Sequence, residues 1–268
     1  MSFKKLRILS FGGGVQTVTL AAMCALGDYE RPDALVFADT GWETTSTYEY
    51  IKWFRKWLKQ YDMGIITRKK GNIRNDALSS DRFASMPLFT TDGFGSRGIL
   101  KRQCTNEYKI QVVSDTVREI MGLKRYENIK IPVDLWLGIS CDEVIRMKPN
   151  RNALFTNVFP LIELEYFREK GEKNCIEYLK THNILIPPKS ACIGCPYHSD
   201  TYWTNLKEQY PKDFEDACEF DDLIRNQVKA KGCDDQVFLH NSRKPLKDVV
   251  FGQHMALWGE ECEGYCGL

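Results

Sequence analysis

The chain has 268 residues, of which 43% are hydrophobic and 27% are charged, so it can bury a full core and is not a disordered protein. Lysine and arginine number 37 against 36 acidic residues, and the net charge of +1 excludes a global field that would attract nucleic acid or membranes. Ten cysteines are too few for a small disulfide-stapled scaffold, and neither an export signal nor an apolar run of about 18 residues is found. We therefore expect reduced thiols or metal ligands in a cytoplasmic protein with no membrane partner.

Short apolar runs alternate with amphipathic stretches through the first half of the chain, which predicts an α/β fold with a parallel sheet. The predicted strands cover residues 6–11, 33–38, 64–67 and 134–139. The predicted helices cover residues 15–26 and 110–121, and a further helix follows a capping box of Ser46 and Glu49. The apolar residues of that further helix fall on one face, as Tyr50, Ile51, Phe54, Trp57, Leu58 and Tyr61.

The pattern changes near residue 160. Helical stretches around residues 163–182 and 214–231 bracket a cysteine-bearing loop, and the chain ends in a tail rich in glycine and cysteine. We therefore predict a main α/β domain over residues 1–158 and a helical, cysteine-bearing C-terminal subdomain over residues 159–268.

Three consecutive glycines, Gly12, Gly13 and Gly14, directly follow the first predicted strand and open the first helix. Backbone amides and a helix N-terminus converge at such a turn, which makes it an anion site suited to phosphate. The alternative is a tight turn that needs glycine only for its geometry. The loop matches neither GxGxxG nor the lysine-bearing GxxxxGK[ST] pattern.

Residues 12–17 (GGGVQT) resemble a degenerate SGGxDS loop of the adenine nucleotide α-hydrolase superfamily, which includes N-type (PP-loop) ATP pyrophosphatases and phosphoadenosine phosphosulfate (PAPS) reductases. Similar segments follow in the right order at residues 37–43 (FADTGWE), 136–143 (WLGISCDE) and 159–161 (FPL). The resemblance implies a Rossmann-like parallel sheet of the α-hydrolase type and a PP-loop-like nucleotide-binding domain over residues 1–158. It also implies ATP or a related adenine nucleotide, with or without Mg²⁺, as ligand.

The predicted nucleotide-binding residues come from the loop, from the ends of later strands and from basic residues beside the cleft: Ser10, Gly12, Gly13, Gly14, Gln16, Thr17, Asp39, Thr40, Gly138, Arg102 and Arg146. The loop departs from the family pattern, because Val15 and Gln16 replace its lysine-like and acidic positions. Ser140 and Cys141 stand where sulfonucleotide reductases carry an arginine pair, so a sulfate-bearing substrate loses two expected partners.

Cys192 and Cys195 form a CxxCP turn, a spacing that lets two thiolates converge on one metal. The resemblance implies Cys104 as the third ligand, since iron–sulfur reductases of the family carry their first cysteine ligand at that place. Three alternatives stay open. They are an iron–sulfur cluster, for which the resemblance favours the 4Fe-4S type, a zinc site completed by His198 or a tail cysteine, and a redox dithiol.

Two other groups of cysteines are predicted to have roles different from metal binding. Cys24, Cys175 and Cys218 fall on the apolar faces of predicted helices and are expected to be inert core residues. Residues 261–268 (ECEGYCGL) resemble the C-terminal ECGL segment whose cysteine is the nucleophile of sulfonucleotide reductases, which implies Cys262 and Cys266 as catalytic residues. The alternative is a loose chain end that happens to hold two cysteines.

Basic residues crowd one stretch of the chain, as Lys52, Arg55, Lys56, Lys59, Arg68, Lys69, Lys70 and Arg74. Such a cluster is either a nucleic-acid footprint or a solvated helix face, and the near-zero net charge favours the solvated face. A second set flanks the predicted cleft and suits phosphate contacts better: Arg97, Lys101, Arg102, Lys109, Arg146 and Lys148.

These features predict an enzyme of the PAPS-reductase type that binds an adenine nucleotide and performs sulfur chemistry. The favoured reaction is ATP-dependent activation of an acceptor, a nucleic acid or a small molecule, followed by sulfur transfer. Its partners would include a thiol reductant or a sulfur donor protein. The alternatives are a sulfonucleotide reductase that uses a tail cysteine and a nucleotide- or nucleic-acid-binding module without catalysis. The sequence leaves the oligomeric state open.

Overall fold

The computed structural model describes residues 5–79, 84–91, 97–124, 127–226 and 236–252. Within these residues, the strands are β1 (Leu6–Ser10), β2 (Ala34–Ala38), β3 (Ile65–Arg68), β4 (Phe89–Thr91), β5 (Arg97–Ile99), β6 (Val133–Leu137), β7 (Phe155–Val158) and β8 (Gln236–Phe238). Five of them form a parallel sheet in the order β3-β2-β1-β6-β7, and the others form an antiparallel sheet in the order β5-β4-β8.

The α-helices of the described part are α1 (Val15–Leu26), α2 (Thr45–Lys59), α3 (Ile73–Ala77), α4 (Gln111–Ile120), α5 (Pro160–Glu163), α6 (Glu172–Thr181), α7 (Asp200–Gln209) and α8 (Pro211–Asn226). A π-helical turn at Asn106–Ile110 leads into α4. Short 3₁₀ turns lie at Cys141–Arg146, Glu165–Phe167 and Leu246–Asp248. None of the helices seen in these ranges combines the length and the apolar character that crossing a bilayer requires.

The parallel sheet extends in two directions from β1. The chain builds β2 and β3 on one side of β1 and then places β6 and β7 on the other side. The direction of strand addition therefore reverses between β1 and β6. In open α/β sheets, ligands bind outside the carboxyl ends of the strands at such a switch point. The predicted parallel α/β sheet is confirmed, and the glycine loop lies at the switch point because it follows β1.

Helices cover both faces of this sheet. On one face, α1, α2 and α6 pack over the strands, and Phe54 of α2 stacks on Phe11 with ring centroids 5.8 Å apart. The predicted apolar face of α2 is confirmed, since Tyr50, Ile51, Phe54 and Leu58 are all buried there. On the other face, the valines of α4 pack against Ile8 and Val36.

Two sequence expectations about helices are corrected. The predicted capping box of Ser46 and Glu49 is wrong, because the side chain of Thr44 accepts a hydrogen bond from the backbone N–H of Thr47 and α2 begins at Thr45. Thr44 has the extended backbone that a cap requires, whereas Ser46 is already helical. The cysteine-bearing loop is also shorter than expected, since α7 lies between it and α8, which begins at Pro211.

A second hydrophobic cluster lies apart from the parallel sheet. It joins two distant stretches, residues 73–108 and 193–246, through buried side chains such as Met86, Tyr108 and Trp203. The antiparallel sheet connects the same stretches, because β4 pairs with both β5 and β8. Both stretches carry predicted metal-ligating cysteines, so this cluster brings those cysteines into one region. The domain boundary between residues 158 and 159 stays a prediction.

Candidate nucleotide and cysteine site

The backbone amides of the glycine loop lie at the start of α1. Gly14 caps the helix with extended backbone, and no side chain caps it. Among the described residues, none accepts a hydrogen bond from the backbone amides of residues 12–17. Gly13 has a φ of 79°, and a Cβ there would lie 3.3 Å from Cδ1 of Ile51. The loop therefore combines free N–H groups with the positive end of a helix dipole, as an anion site requires.

The end of β6 approaches the loop closely. Ser10, the last residue of β1, is in register with Leu137. At the next position, a Cβ on Gly138 would lie 2.6 Å from Cγ2 and 2.9 Å from the backbone N of Thr17. Glycine is therefore needed at Gly138 for this approach. The predicted residues Ser10, Thr17 and Gly138 lie together at the switch point.

A buried ion pair lies behind the first turn of α1. Glu143 Oε2 accepts a hydrogen bond from Gln16 Nε2 at 3.5 Å and pairs with Arg146 Nη1 at 2.5 Å. Arg146 is only 8% exposed. Burial raises the pKa of the Glu143 carboxyl, and the Arg146 guanidinium opposes this shift without cancelling it. Glu143 was not among the predicted site residues, although the acidic pair in the resembling segment at residues 136–143 contains it.

The turn after β2 is organised by Asp39. Its Oδ1 accepts hydrogen bonds from the backbone N–H of Gly41 at 2.7 Å and from the hydroxyl of Tyr48 at 2.8 Å. Its Oδ2 pairs with Nζ of Lys69 at 2.9 Å. Both carboxylate oxygens therefore hold the turn in this structure. Gly41 lies at a φ of 79°, in the left-handed region that favours glycine.

The three predicted metal-ligating cysteines line one cavity. Cys104 comes from the stretch before α4, and Cys192 and Cys195 come from the turn before α7. Two predicted nucleotide-binding residues, Thr40 and Arg102, line the same cavity, as does Lys109. Its volume is about 30 Å³, the room that about one water molecule occupies. The structure thus places the cysteine site and part of the predicted nucleotide site side by side.

The CxxC turn is fastened to the turn after β2. Glu43 and Cys192 form an antiparallel bridge, and the backbone N–H of Ile193 donates to the carbonyl of Trp42 at 2.9 Å. Sγ of Cys192 lies 3.2 Å from the hydroxyl of Thr40 and donates to Oε1 of Glu43 at 3.7 Å. The Thr40 hydroxyl donates to the same carboxylate oxygen at 2.7 Å. These contacts fix the orientation of the Cys192 thiol.

Gly194, between the two cysteines of the turn, is required by packing. A Cβ on Gly194 would overlap the indole ring of Trp42. That ring is held by a hydrogen bond from its Nε1 to Asp216 Oδ2 at 2.5 Å and by packing on Phe220 with centroids 4.8 Å apart. The CxxC turn therefore keeps its position only with glycine at Gly194.

The donor set fits a thiolate-bound metal by its chemistry, because thiolates are soft ligands suited to iron–sulfur clusters and zinc. The described residues hold no preassembled group of three or more His, Cys, Asp or Glu side chains at metal-binding geometry. His198 Nε2 lies 2.9 Å from the carbonyl oxygen of Cys192. The zinc site completed by His198 stays a prediction.

One short segment joins the two halves of the site. The hydroxyl of Ser190 donates to the carbonyl of Gly12 at 2.6 Å. Two residues later, Cys192 bridges to Glu43. Residues 190–195 therefore run from the glycine loop to the cysteine cavity. Sequence reasoning missed Ser190, since a lone serine before a CxxC turn carries no signal of its own.

Cys24, Cys175 and Cys218 lie on α-helices. Cys24 and Cys175 are fully buried in the core, and burial raises the pKa of each thiol to about 12. Cys218 is half-buried, and burial raises the pKa of its thiol to about 11. The prediction that Cys24 and Cys175 are core residues is confirmed, and their inertness stays a prediction. Cys262 and Cys266 lie outside the described residues.

Much of the basic stretch at residues 52–74 is engaged within the protein. Arg68 pairs with Glu119, Lys69 with Asp39 and Lys70 with Glu107. Arg74 pairs with Asp216, and Arg55 donates to the carbonyl of Ile65. These pairings agree with a solvated, internally neutralised face.

No protein-family profile matches the chain, and no curated protein is found to be similar to it. Among solved structures, the chain is similar to a PAPS reductase from Candida auris in a phosphate complex, with 9% identity, coverage of 68% of this chain and 75% of the other, and a TM-score of 0.36. It is also similar to the U34-tRNA thiolase NcsA from Methanococcus maripaludis with its [4Fe-4S] cluster, with 11% identity, coverage of 84% and 73%, and a TM-score of 0.40. A PAPS reductase, the family that the sequence resembles, is thus among these neighbours.

Proposed function

We propose that this chain is an enzyme that binds an adenine nucleotide at the glycine loop and performs sulfur chemistry at the adjacent cysteine cavity. The observation that carries the proposal is the course of residues 190–195, which contact the loop through Ser190 and line the cavity through Cys192 and Cys195. Nucleotide phosphates at the loop would lie next to three thiols. The favoured reaction is ATP-dependent sulfur transfer to an acceptor.

The steps of that reaction balance without an external oxidant or reductant. An oxygen of the acceptor attacks the α-phosphorus of ATP, and pyrophosphate leaves. A hydrosulfide ion then attacks the activated carbon, AMP departs with the original oxygen, and one proton is released. The amides of residues 12–17 would hold the phosphates, and Arg102 and Lys109 would stabilise negative charge near the cavity.

Cys104, Cys192 and Cys195 would hold an iron–sulfur cluster or a zinc ion, which would bind sulfide and make it available for transfer. Thr40 and Glu43 would orient Cys192 through their contacts with its thiol. Anaerobic purification with iron, sulfide and zinc counts distinguishes the cluster, the zinc ion and the metal-free dithiol.

Nucleotide binding is tested by calorimetry with ATP, AMP and PAPS. Gly13→Ala adds a Cβ at a left-handed position within the loop, and we expect it to weaken ATP binding about tenfold because the amides shift. Gly27→Ala is the matched control, since Gly27 has a φ of 90° and open space around it but lies at the other end of α1. Absence of heat with all three nucleotides in the unaltered protein would overturn the proposal.

The reaction is tested with ATP, radiolabelled sulfide and two acceptor pools, bulk RNA and a small-metabolite extract. Sulfur transfer predicts AMP and label in one pool, in amounts that depend on both ATP and sulfide. Sulfite release from PAPS would instead assign the sulfonucleotide reductase. Salt-sensitive RNA binding without turnover of any nucleotide would assign the non-catalytic module.

A further inference from the structure

A groove of about 410 Å³ lies at the end of the molecule where α1 and α6 terminate, away from the glycine loop at the start of α1. This volume lies within the range of about 300–1,000 Å³ that is common for small-molecule sites. The floor of the groove is largely apolar and includes Phe167, and its polar groups belong to Asp28, Glu165, Tyr166, Tyr178, Thr181 and His182. None of these residues takes part in the candidate nucleotide and cysteine site.

The groove has a negative electrostatic character. Helices α1 and α6 run side by side in the same direction, because Thr19 contacts Cys175 and Asp28 contacts Tyr178 further along both. Both C-termini, the negative ends of their helix dipoles, therefore meet at the groove. The carboxylates of Asp28 and Glu165 add to this field. Among the described lining residues, only His182 can carry positive charge.

Aromatic rings form much of the wall. Tyr166 is 53% exposed, and its ring stands edge-on to Phe167 with centroids 4.9 Å apart. Phe167 packs on Tyr178, and the ring of Tyr178 lies tilted against that of His182 with centroids 4.2 Å apart. The faces of aromatic rings attract cations. An apolar floor, exposed ring surface and carboxylates together select a ligand with a positive head and an apolar body.

We propose that this groove binds a small organic cation. Its ammonium group lies toward Asp28 and Glu165, and its apolar body lies against Tyr166 and Phe167. The groove is a site separate from the proposed nucleotide reaction, so either proposal can fail without the other.

The test compares two probes of nearly the same shape, benzylamine and benzyl alcohol, by calorimetry or NMR titration at low salt. Benzylamine is protonated at neutral pH, whereas benzyl alcohol carries no charge. We expect benzylamine to bind about tenfold more tightly, because carboxylate and ring-face attraction act only on the cation. Equal affinities, or no binding of benzylamine, would overturn the proposal.

Variants locate the site. Asp28→Asn removes the charge and keeps an oxygen that accepts the hydrogen bond of the Tyr178 hydroxyl. The variant should therefore lower the affinity for benzylamine about tenfold and leave the affinity for benzyl alcohol unchanged. Asp248→Asn removes one exposed negative charge outside the groove, two residues after Leu246 of the other hydrophobic cluster, and should change neither affinity. A merely structural role for Asp28 would weaken both probes equally and would contradict the proposal.

Discussion

Two regions of this molecule hold cysteines in opposite environments. Cys24 and Cys175 lie on the facing sides of α1 and α6, fully buried, with the pKa of each thiol raised to about 12 by burial. Cys104, Cys192 and Cys195 instead line a cavity that also contains hydroxyl and basic side chains. The side chain is the same in both regions, so its surroundings decide whether the thiol packs or reacts.

The backbone explains the difference. A helix satisfies its own amides and carbonyls, so a cysteine on its apolar face is surrounded mainly by packing partners, and Thr19 is the polar group that contacts the Cys175 thiol. The turn that holds Cys192 and Cys195 is shaped by contacts from elsewhere in the chain, including the carbonyl of Trp42 and the carboxylate of Glu43. Those contacts bring polar groups to the sulfur atoms.

The largest effect is expected for Gly194→Ala. The added methyl group overlaps the indole of Trp42, so the ring or the CxxC turn must move, and we expect a loss of about 3 kcal/mol in the free energy of unfolding together with lost metal binding. Urea denaturation and metal analysis measure the two effects. Gly64→Ala is the control, because open space surrounds Gly64, and it should change stability by less than about 1 kcal/mol. An unchanged stability of Gly194→Ala would show that the turn is not held by Trp42.

Serine substitutions separate the two cysteine regions. Cys24→Ser buries a hydroxyl in an apolar core and should cost about 2 kcal/mol without changing metal content. Cys104→Ser, Cys192→Ser and Cys195→Ser should each lower the bound iron or zinc and change the stability of the metal-free protein by less than about 1 kcal/mol. A loss of bound metal in Cys24→Ser, with unchanged metal content in the variants of the cavity cysteines, would contradict this distinction between the two regions.

Because of the raised pKa of the core thiols, we expect the free energy of unfolding to fall at alkaline pH. Their pKa is raised from 9.0 to about 12, so the unfolded chain loses these protons first as the pH increases. Stability from this source is complete below pH 9.0 and falls between pH 9.0 and about 12, by about 1.4 kcal/mol per pH unit for each cysteine. Urea unfolding on either side of pH 9.0 measures the slope, and Cys24→Ala should reduce it. An identical slope in that variant would contradict the assignment.

The smallest effect concerns the start of α2, next to the cavity. Thr44→Ala removes the cap of this helix and should cost about 1 kcal/mol, whereas Ser46→Ala should cost a few tenths. The midpoint of thermal unfolding distinguishes them. A larger loss of stability for Ser46→Ala than for Thr44→Ala would show that the predicted capping box of Ser46 and Glu49 is correct.

Much of the architecture could be predicted from the sequence because it depends on local patterns. The strand, glycine loop and helix at the start of the chain match the structure within one residue, with α1 at Val15–Leu26. The sequence also predicted that Cys104 lies near Cys192 and Cys195. That prediction came from the resemblance to a known family and not from the spacing of the cysteines. The assignment of these residues to metal and nucleotide binding stays a prediction.

The rest depends on contacts between distant residues, which no local pattern reveals. The need for Gly194 arises from Trp42, about 150 residues earlier in the chain. The cap at Thr44 was missed because Ser46 has a glutamate, Glu49, three residues later and so fits the capping-box pattern better than Thr44, which is followed by Thr47. The engagement of Asp39 with Lys69 likewise depends on how β2 and β3 are placed.

The bond between Ser190 and Gly12 has a consequence for how this protein would respond to its ligands. Only one residue separates Ser190 from Cys192, so a displacement of the glycine loop that pulls on Ser190 would also pull on the CxxC turn. A ligand at the loop and a ligand at the cavity would then be thermodynamically linked, and each would change the affinity at the other by the same factor. Thiol alkylation rates measured with and without ATP give a direct view of that linkage.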